Sequence, residues 1–146
     1  MNTWPFVALM IAAGTLIAFQ SPINGALSRR TGVLEATLMS FVVGGLLAFA
    51  LVVVMGRGNV KAILGAPIWQ WLGGVLGCLY VTLVIVSVSR VGVTTVMVAG
   101  LLGQLATALA IDHFGWLGMD TRPLTPGRLL GIPLLFASLW LFHRSG

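Results

Sequence analysis

The chain has 146 residues, of which 58% are hydrophobic and only 8% are charged. An ordinary soluble domain carries roughly a quarter charged residues, so this composition excludes a soluble globular protein and indicates an integral membrane protein. The net charge of +5 does not indicate nucleic-acid binding, because the basic residues are scattered between long apolar runs and form no basic face. The single cysteine, Cys78, allows neither an internal disulfide nor a cysteine-based metal site.

Five uncharged apolar stretches predict an all-α integral membrane protein with five transmembrane helices. A helix needs about 20 apolar residues to cross a bilayer, and no stretch shows the polar and apolar alternation of a membrane strand. We place the helices at about 3–28, 33–55, 68–88, 92–111 and 125–143. The links are too short to hold another domain, so residues 1–146 are expected to form a single membrane domain in which consecutive helices are antiparallel neighbours.

The positive charges divide evenly between the two sides of the predicted membrane domain. One side receives Arg57, Lys61, Arg122 and Arg128, and the other receives Arg29, Arg30, Arg90 and Arg144. Because an excess of Lys and Arg normally fixes the orientation, we predict insertion in both orientations and pairing of opposite copies as an antiparallel homodimer. The alternative is that a partner or one dominant loop fixes the orientation despite the even count.

A polar patch interrupts the first apolar stretch. Gln20 and Asn24 lie one helical turn apart, and Pro22 between them removes the hydrogen bond to the carbonyl of Ala18. If the helix continues past Pro22, the two amides resemble the broken helices that line substrate sites in secondary transporters. In the alternative, the helix ends near Phe19 and residues 20–24 form a turn at the membrane interface.

Three further polar residues require an explanation within apolar segments. Glu35 falls in the first turn of the second helix, where it either caps the helix N terminus or lies in a cavity and exchanges a proton or pairs a cation. Gln104 stands alone within the fourth helix and is expected to face the bundle, where it binds a neighbouring helix or a substrate. Asp112 closes the fourth helix, and Arg122 or Arg128 is expected to balance its charge.

The sequence contains no motif for catalysis or for a cofactor. Nucleophile elbows, zinc-protease motifs, phosphate-binding loops and dinucleotide-binding glycine motifs are all missing. His113 and His143 lie on different predicted helices, with no matching set of carboxylates. We therefore expect no enzyme activity, no cofactor and no metal.

Three stretches of the sequence resemble a known family of small membrane proteins. They are Gln20-x3-Asn24-Gly25-x-Leu27 with Arg29-Arg30-Thr31-Gly32 and Ser40-Phe41-x2-Gly44; Val91-Gly92-Val93-Thr94-Thr95 through Gly103-Gln104-Leu105 to Asp112-His113-Phe114-Gly115; and Pro123-Leu124-Thr125-Pro126-x-Arg128-Leu129-Leu130-Gly131. In order and spacing they resemble the five-helix YdcZ-like proteins of the drug/metabolite transporter superfamily.

The resemblance implies a bacterial inner-membrane protein that corresponds to one half of a ten-helix transporter built from two inverted repeats. A lone half is then expected to pair with another copy or with a paralogue. Gln20, Asn24, Gln104 and Asp112 are the polar positions that the resemblance includes, and it names no substrate.

Two functions are compatible with these observations. The first is a small-molecule transporter in which Gln20, Asn24 and Gln104 bind the substrate in a cavity between two antiparallel protomers, with Glu35 and Asp112 available for proton or cation coupling. The second is a non-transporting membrane subunit that stabilises or regulates a partner. A transporter needs these amides in a solvent-reachable cavity, whereas a scaffold bonds them between helices in a dry core.

Overall fold

The computed structural model describes residues 3–145, and these residues are almost entirely helical. The α-helices are α1, Trp4–Thr31; α2, Val33–Met55; α3, Leu72–Phe114; and α4, Pro126–Ser145. Short 3-10 helices occupy Val60–Gly65, Ile68–Trp71 and Trp116–Gly118. No strand occurs within residues 3–145, so the prediction of an all-α chain is confirmed.

Within residues 3–145, three helical stretches are long and apolar enough to cross a membrane. They are Trp4–Thr31, Val33–Met55 and Ile68–Phe114. The 28 residues of α1 measure about 42 Å at 1.5 Å per residue, which exceeds the roughly 30 Å hydrocarbon core of a bilayer. In each stretch, 6% or less of the most apolar part is buried inside the chain. Nearly all of this apolar surface is therefore available to lipid or to another protein chain.

The first helix is longer than predicted and runs through Pro22 without a break. It ends at Thr31 because Gly32 has a φ of 106°, a backbone conformation that favours glycine. The N–H of Gly32 donates to the carbonyl of Ser28, and the carbonyl of Gly32 accepts from the N–H of Ala36. A single residue thus links α1 to α2. The alternative in which the first helix ends near Phe19 is wrong.

The long helix α3 contains one residue with non-helical backbone angles. Gly92 has φ 79° and ψ 165°, which a residue with a Cβ rarely adopts. The helical segments 72–91 and 93–114 therefore follow one another without a loop. The sequence predicted separate helices at about 68–88 and 92–111, with almost no connection between them.

Two compact units make up the chain, the first ending at Ser89 and the second beginning at Arg90. In the first unit, small and polar residues provide the contacts between helices. A Cβ placed on Gly25 of α1 would lie 2.9 Å from Cγ1 of Val88, and the hydroxyl groups of Thr37 on α2 and Thr82 on α3 lie 3.2 Å apart. Close backbone approach and short polar contacts are the usual means of helix association in lipid, where apolar burial between helices contributes little.

In the second unit, the loop before α4 is fixed by its own hydrogen bonds. The N–H of Arg122 donates to the backbone carbonyl of Asp112 at 2.7 Å. The N–H of Arg128 donates to Oγ1 of Thr125 at 3.4 Å, and Pro126 opens the helix, which is the usual arrangement at a helix N terminus. These bonds set where α4 starts.

The contact between Gly25 and Val88 predicts a specific effect on stability. Gly25→Ala forces a methyl group against the buried Val88 side chain, so we expect it to lower the free energy of unfolding by about 1–3 kcal/mol. Val88→Ala in the same chain should restore part of this loss because it removes the opposing methyl groups. Thermal unfolding of the purified protein in lipid nanodiscs measures both effects.

Gly14→Ala is the matched control, because Gly14 lies on the same helix and a Cβ there meets nothing within 4 Å. It should leave the unfolding temperature unchanged or raise it slightly. Equal losses from Gly25→Ala and Gly14→Ala would show that close approach at Gly25 does not support the packing of the first unit.

Candidate functional site

A groove with three polar residues in a mainly apolar lining lies along the α1–α2 pair. It has a volume of about 330 Å³. Its lining residues are Gln20, Ile23, Asn24 and Leu27 of α1 and Met39, Ser40, Val43 and Gly44 of α2. The groove exists because α1 and α2 fold back on each other at Gly32, so that residues equally distant from the link, such as Asn24 and Ser40, meet across the pair.

The contact that defines the groove is a hydrogen bond between the two helices. The hydroxyl of Ser40 donates to Oδ1 of Asn24 at 2.7 Å. Asn24 is only 7% exposed, and a buried amide oxygen without a partner would be costly. Oδ1 faces Ser40, so the N–H groups of the same amide remain for a ligand in the groove.

Gln20 lies one turn before Asn24 on the same wall of the groove. It is exposed, unlike Asn24. At 1.5 Å per residue, Gln20 and Asn24 lie about 24 Å and 30 Å along α1 from Trp4, so both amides fall within the stretch that can span the membrane. The structure thus brings together two of the three predicted substrate residues.

Sequence reasoning gave no role to the polar groups beside the groove. The sequence offers no signal for the role of Ser40, because its bond to Asn24 depends on the register of two helices. Ser21 is 2% exposed, and its hydroxyl has no hydrogen-bond partner. Pro22 leaves the carbonyl of Ala18 without a helical donor. Residues 18–22, which lack these two hydrogen bonds, therefore directly precede Asn24.

The other predicted site residues lie outside this groove. Gln104 occupies an exposed position on α3 in the second unit. Glu35 is exposed in the first turn of α2, and its carboxylate lies over Gly32, where an added Cβ would clash with Oε2. No side-chain hydrogen bond caps the N terminus of α2. Glu35 therefore has the position of a helix cap without the hydrogen bond that the capping hypothesis predicts.

Asp112 forms an ion pair in the second unit. Its Oδ2 accepts from Nη1 of Arg128 at 3.3 Å, and the two side chains are about one-third exposed, at 38% and 34%. The pair faces a recess of about 340 Å³ with an otherwise apolar lining from Leu105, Ala108, Leu109, Gly127 and Gly131. Asp112 also holds the loop through its backbone carbonyl, so one residue positions both the loop and the start of α4.

Metal chemistry has no support within residues 3–145, where no three His, Cys, Asp or Glu side chains come together. The ionisable groups also do not converge on the α1–α2 groove, because none of its lining residues is ionisable. The lining that this chain provides therefore offers a ligand hydrogen bonds and apolar contact.

Comparison with known protein families identifies the chain. The family model described as "putative inner membrane exporter, YdcZ" matches residues 5–141. The chain belongs to the YdcZ family. This confirms the resemblance found in the sequence, and it places the chain in the inner membrane as a multi-pass protein, in agreement with the apolar helices.

Membership in the YdcZ family supports a transport function and covers nearly the whole chain, including the groove and the Asp112–Arg128 pair. No curated protein and no solved structure matches the chain. The family description names no substrate.

The Asp112–Arg128 pair predicts a modest, non-additive contribution to stability. Because both side chains are partly exposed, we expect Asp112→Asn and Arg128→Gln each to lower the free energy of unfolding by about 1 kcal/mol or less. The double variant should lose little more than either single variant. Thermal unfolding of the four proteins in nanodiscs measures the coupling.

Asp120→Asn serves as the control for charge alone, since Asp120 lies in the exposed loop and makes no ion pair with the other described residues. It should leave the unfolding temperature unchanged. Additive losses from Asp112→Asn and Arg128→Gln would show that the two residues act independently.

Proposed function

We propose that this YdcZ-family protein exports a small molecule as a dimer with a polar central cavity and alternating access. The observation that carries the proposal is the α1–α2 groove, in which Gln20 and Asn24 offer hydrogen bonds inside a stretch long enough to cross the membrane. An amide within an apolar helix is costly unless it has a hydrogen-bond partner. The family description as an exporter supports the same function.

The apolar surface that a single chain leaves uncovered supports the proposed dimer. Within residues 3–145 the buried apolar residues are Ala36, Ile85, Val88, Val96 and Leu109, a small set for three apolar stretches of this length. The balanced positive charges favour insertion in both orientations. We propose that two copies in opposite orientations complete the transporter, either as a homodimer or with a paralogue, and that one bundle rocks against the other to alternate access.

The proposed topology has five crossings. The stretch Ile68–Phe114 has 47 residues and would measure about 70 Å as one straight helix, more than twice the hydrocarbon core. The non-helical Gly92 divides its helix into segments of about 30 Å each. Two crossings in this stretch and one each in α1, α2 and α4 give five. An odd number of crossings places the two ends of the chain on opposite sides of the membrane.

The predicted polar residues have two kinds of role in this transporter, substrate binding and structural support. We assign Gln20, Asn24 and Gln104 to substrate binding. Glu35 and Asp112 were candidates for proton or cation coupling, but Asp112 is held by Arg128 and Glu35 lies outside the groove lining. We therefore propose structural roles for both, at the starts of α4 and α2 respectively.

A scaffold function has one observation in its favour. Asn24 is buried and bonded between helices by Ser40, as a packing amide would be. Gln20 distinguishes the two functions, because it is exposed in the groove and its side-chain amide makes no hydrogen bond to another described residue. An amide with only a packing role would have such a partner.

The test of transport follows from Gln20. We expect Gln20→Ala to abolish ligand-dependent stabilisation by a substrate found in a screen of purified protein, because a bound ligand raises the unfolding temperature by mass action. Its unfolding temperature without ligand should stay within about 1 °C of the parent, since no described partner is lost.

Gln70→Ala is the matched control, because Gln70 is an exposed glutamine outside the groove and its removal should leave the ligand response intact. A Gln20→Ala protein that unfolds more easily and shows an undiminished ligand response would favour the scaffold function.

Dual insertion predicts mixed accessibility of the α2–α3 link. In a Cys78→Ser background, we expect a cysteine introduced by Gly58→Cys to react in about half of the copies when intact cells meet a membrane-impermeant thiol reagent. Gly58 has open space around it, so the substitution should not disturb the fold. Adding Asn59→Lys should move the labelled fraction towards zero, because positive charge retains a link on the cytoplasmic side.

Permeabilised cells provide the control, since every copy should then react. All-or-none labelling of the Gly58→Cys protein in intact cells would exclude dual insertion of this chain alone. The antiparallel homodimer would then give way to a pair with an oppositely oriented paralogue.

A further inference from the structure

One hydrogen bond in the α1–α2 groove has a defined direction. Ser40 donates to Oδ1 of Asn24, so the acceptor of this amide is used and its donors remain. Because Asn24 is 7% exposed, packing holds the amide in the orientation in which Oδ1 faces Ser40 and the N–H groups remain for a ligand. Asn24 therefore acts in the groove as a positioned donor.

Gln20 adds an adaptable group one turn away. Its amide carries both a donor and an acceptor, and its exposed position lets the side chain turn either one towards a ligand. The groove therefore combines a fixed donor at Asn24 with an adjustable partner at Gln20. A ligand with a hydrogen-bond acceptor satisfies both, whereas a ligand with donors alone leaves Asn24 unmatched.

The remaining lining argues against a charged ligand. Ile23, Leu27, Met39 and Val43 are apolar, and Gly44 has no side chain. Moving an ion from water into such surroundings is costly unless an opposite charge accompanies it. The nearest carboxylate in sequence, Glu35, precedes Met39 by one turn and does not line the groove.

We infer that the groove binds an uncharged solute with an apolar body and a hydrogen-bond acceptor, such as a carbonyl oxygen, directed at Asn24. The inference rests on the proposed transport function and names its substrate class. The volume of about 330 Å³ lies at the small end of the range for ligand pockets, so the solute is small. The apolar body packs against Ile23 and Val43, and Gln20 adds a second hydrogen bond.

The experiment uses three probes that share an aromatic body and differ in the charge of the head group. They are phenylacetamide, phenylacetate and 2-phenylethylammonium. Binding is measured by thermal unfolding of the full chain in phosphatidylcholine nanodiscs, up to the solubility limit of each probe. We expect phenylacetamide to raise the unfolding temperature and the two ions to have no effect.

A double variant tests the role of Asn24 without leaving a buried group unsatisfied. Asn24→Leu with Ser40→Ala removes both partners of the hydrogen bond, which costs far less stability than removing one. We expect about tenfold weaker binding of phenylacetamide. Thr37→Val with Thr82→Val is the matched control, because it removes another interhelical polar pair of the same unit outside the groove lining. Its binding should be unchanged.

Binding of the ammonium or the carboxylate at the groove, or phenylacetamide binding that survives the Asn24→Leu and Ser40→Ala changes, would overturn the inference. Binding of none of the probes would also overturn it, since lipid chains would then outcompete the proposed class.

Uptake of labelled probes into proteoliposomes tests transport separately. Uptake of only 2-phenylethylammonium would overturn the substrate class and leave a transporter, whereas groove binding of phenylacetamide without uptake of any probe would support the class and contradict transport.

Discussion

A bilayer interior offers no water to polar groups, and this constraint determines how the chain uses each of them. The hydroxyls of Thr15, Thr37 and Ser138 all donate to a carbonyl four residues back in their own helix, so they need no neighbour. An asparagine amide has more groups than this local bond can satisfy. Asn24 therefore requires a second helix, and Ser40 supplies the partner. The same bond that joins α1 to α2 creates the polar wall of the groove.

Much of the fold could be predicted because the length and apolar composition of a segment are enough to recognise a membrane helix. The start of α2 at Val33 and the positive φ of Gly32 follow from a glycine placed between two apolar runs. The sequence left open whether the first helix, placed at about 3–28, continues past Pro22 or ends near Phe19. A proline removes one hydrogen bond but does not decide whether neighbouring helices compensate for it, and that information lies in tertiary packing.

The candidate site was partly accessible from the sequence for a similar reason. Gln20 and Asn24 share one face of a helix through their spacing alone. The pairing of Asp112 with Arg128 was one of two options, because both candidate arginines follow it closely in the chain, and the loop geometry selected between them. The partner of Asn24 depends on the register between two helices, which a period of 3.6 residues within each helix does not encode.

The stretch around Pro22 has a mechanical consequence for α1. A straight helix resists bending because a bend must lengthen its hydrogen bonds on one side. At Ala18 that bond does not exist, since Pro22 carries no N–H, and the hydroxyl of Ser21 adds no substitute. The helix therefore resists bending least between Ala18 and Pro22. This segment directly precedes Asn24, which is bonded to Ser40 of α2.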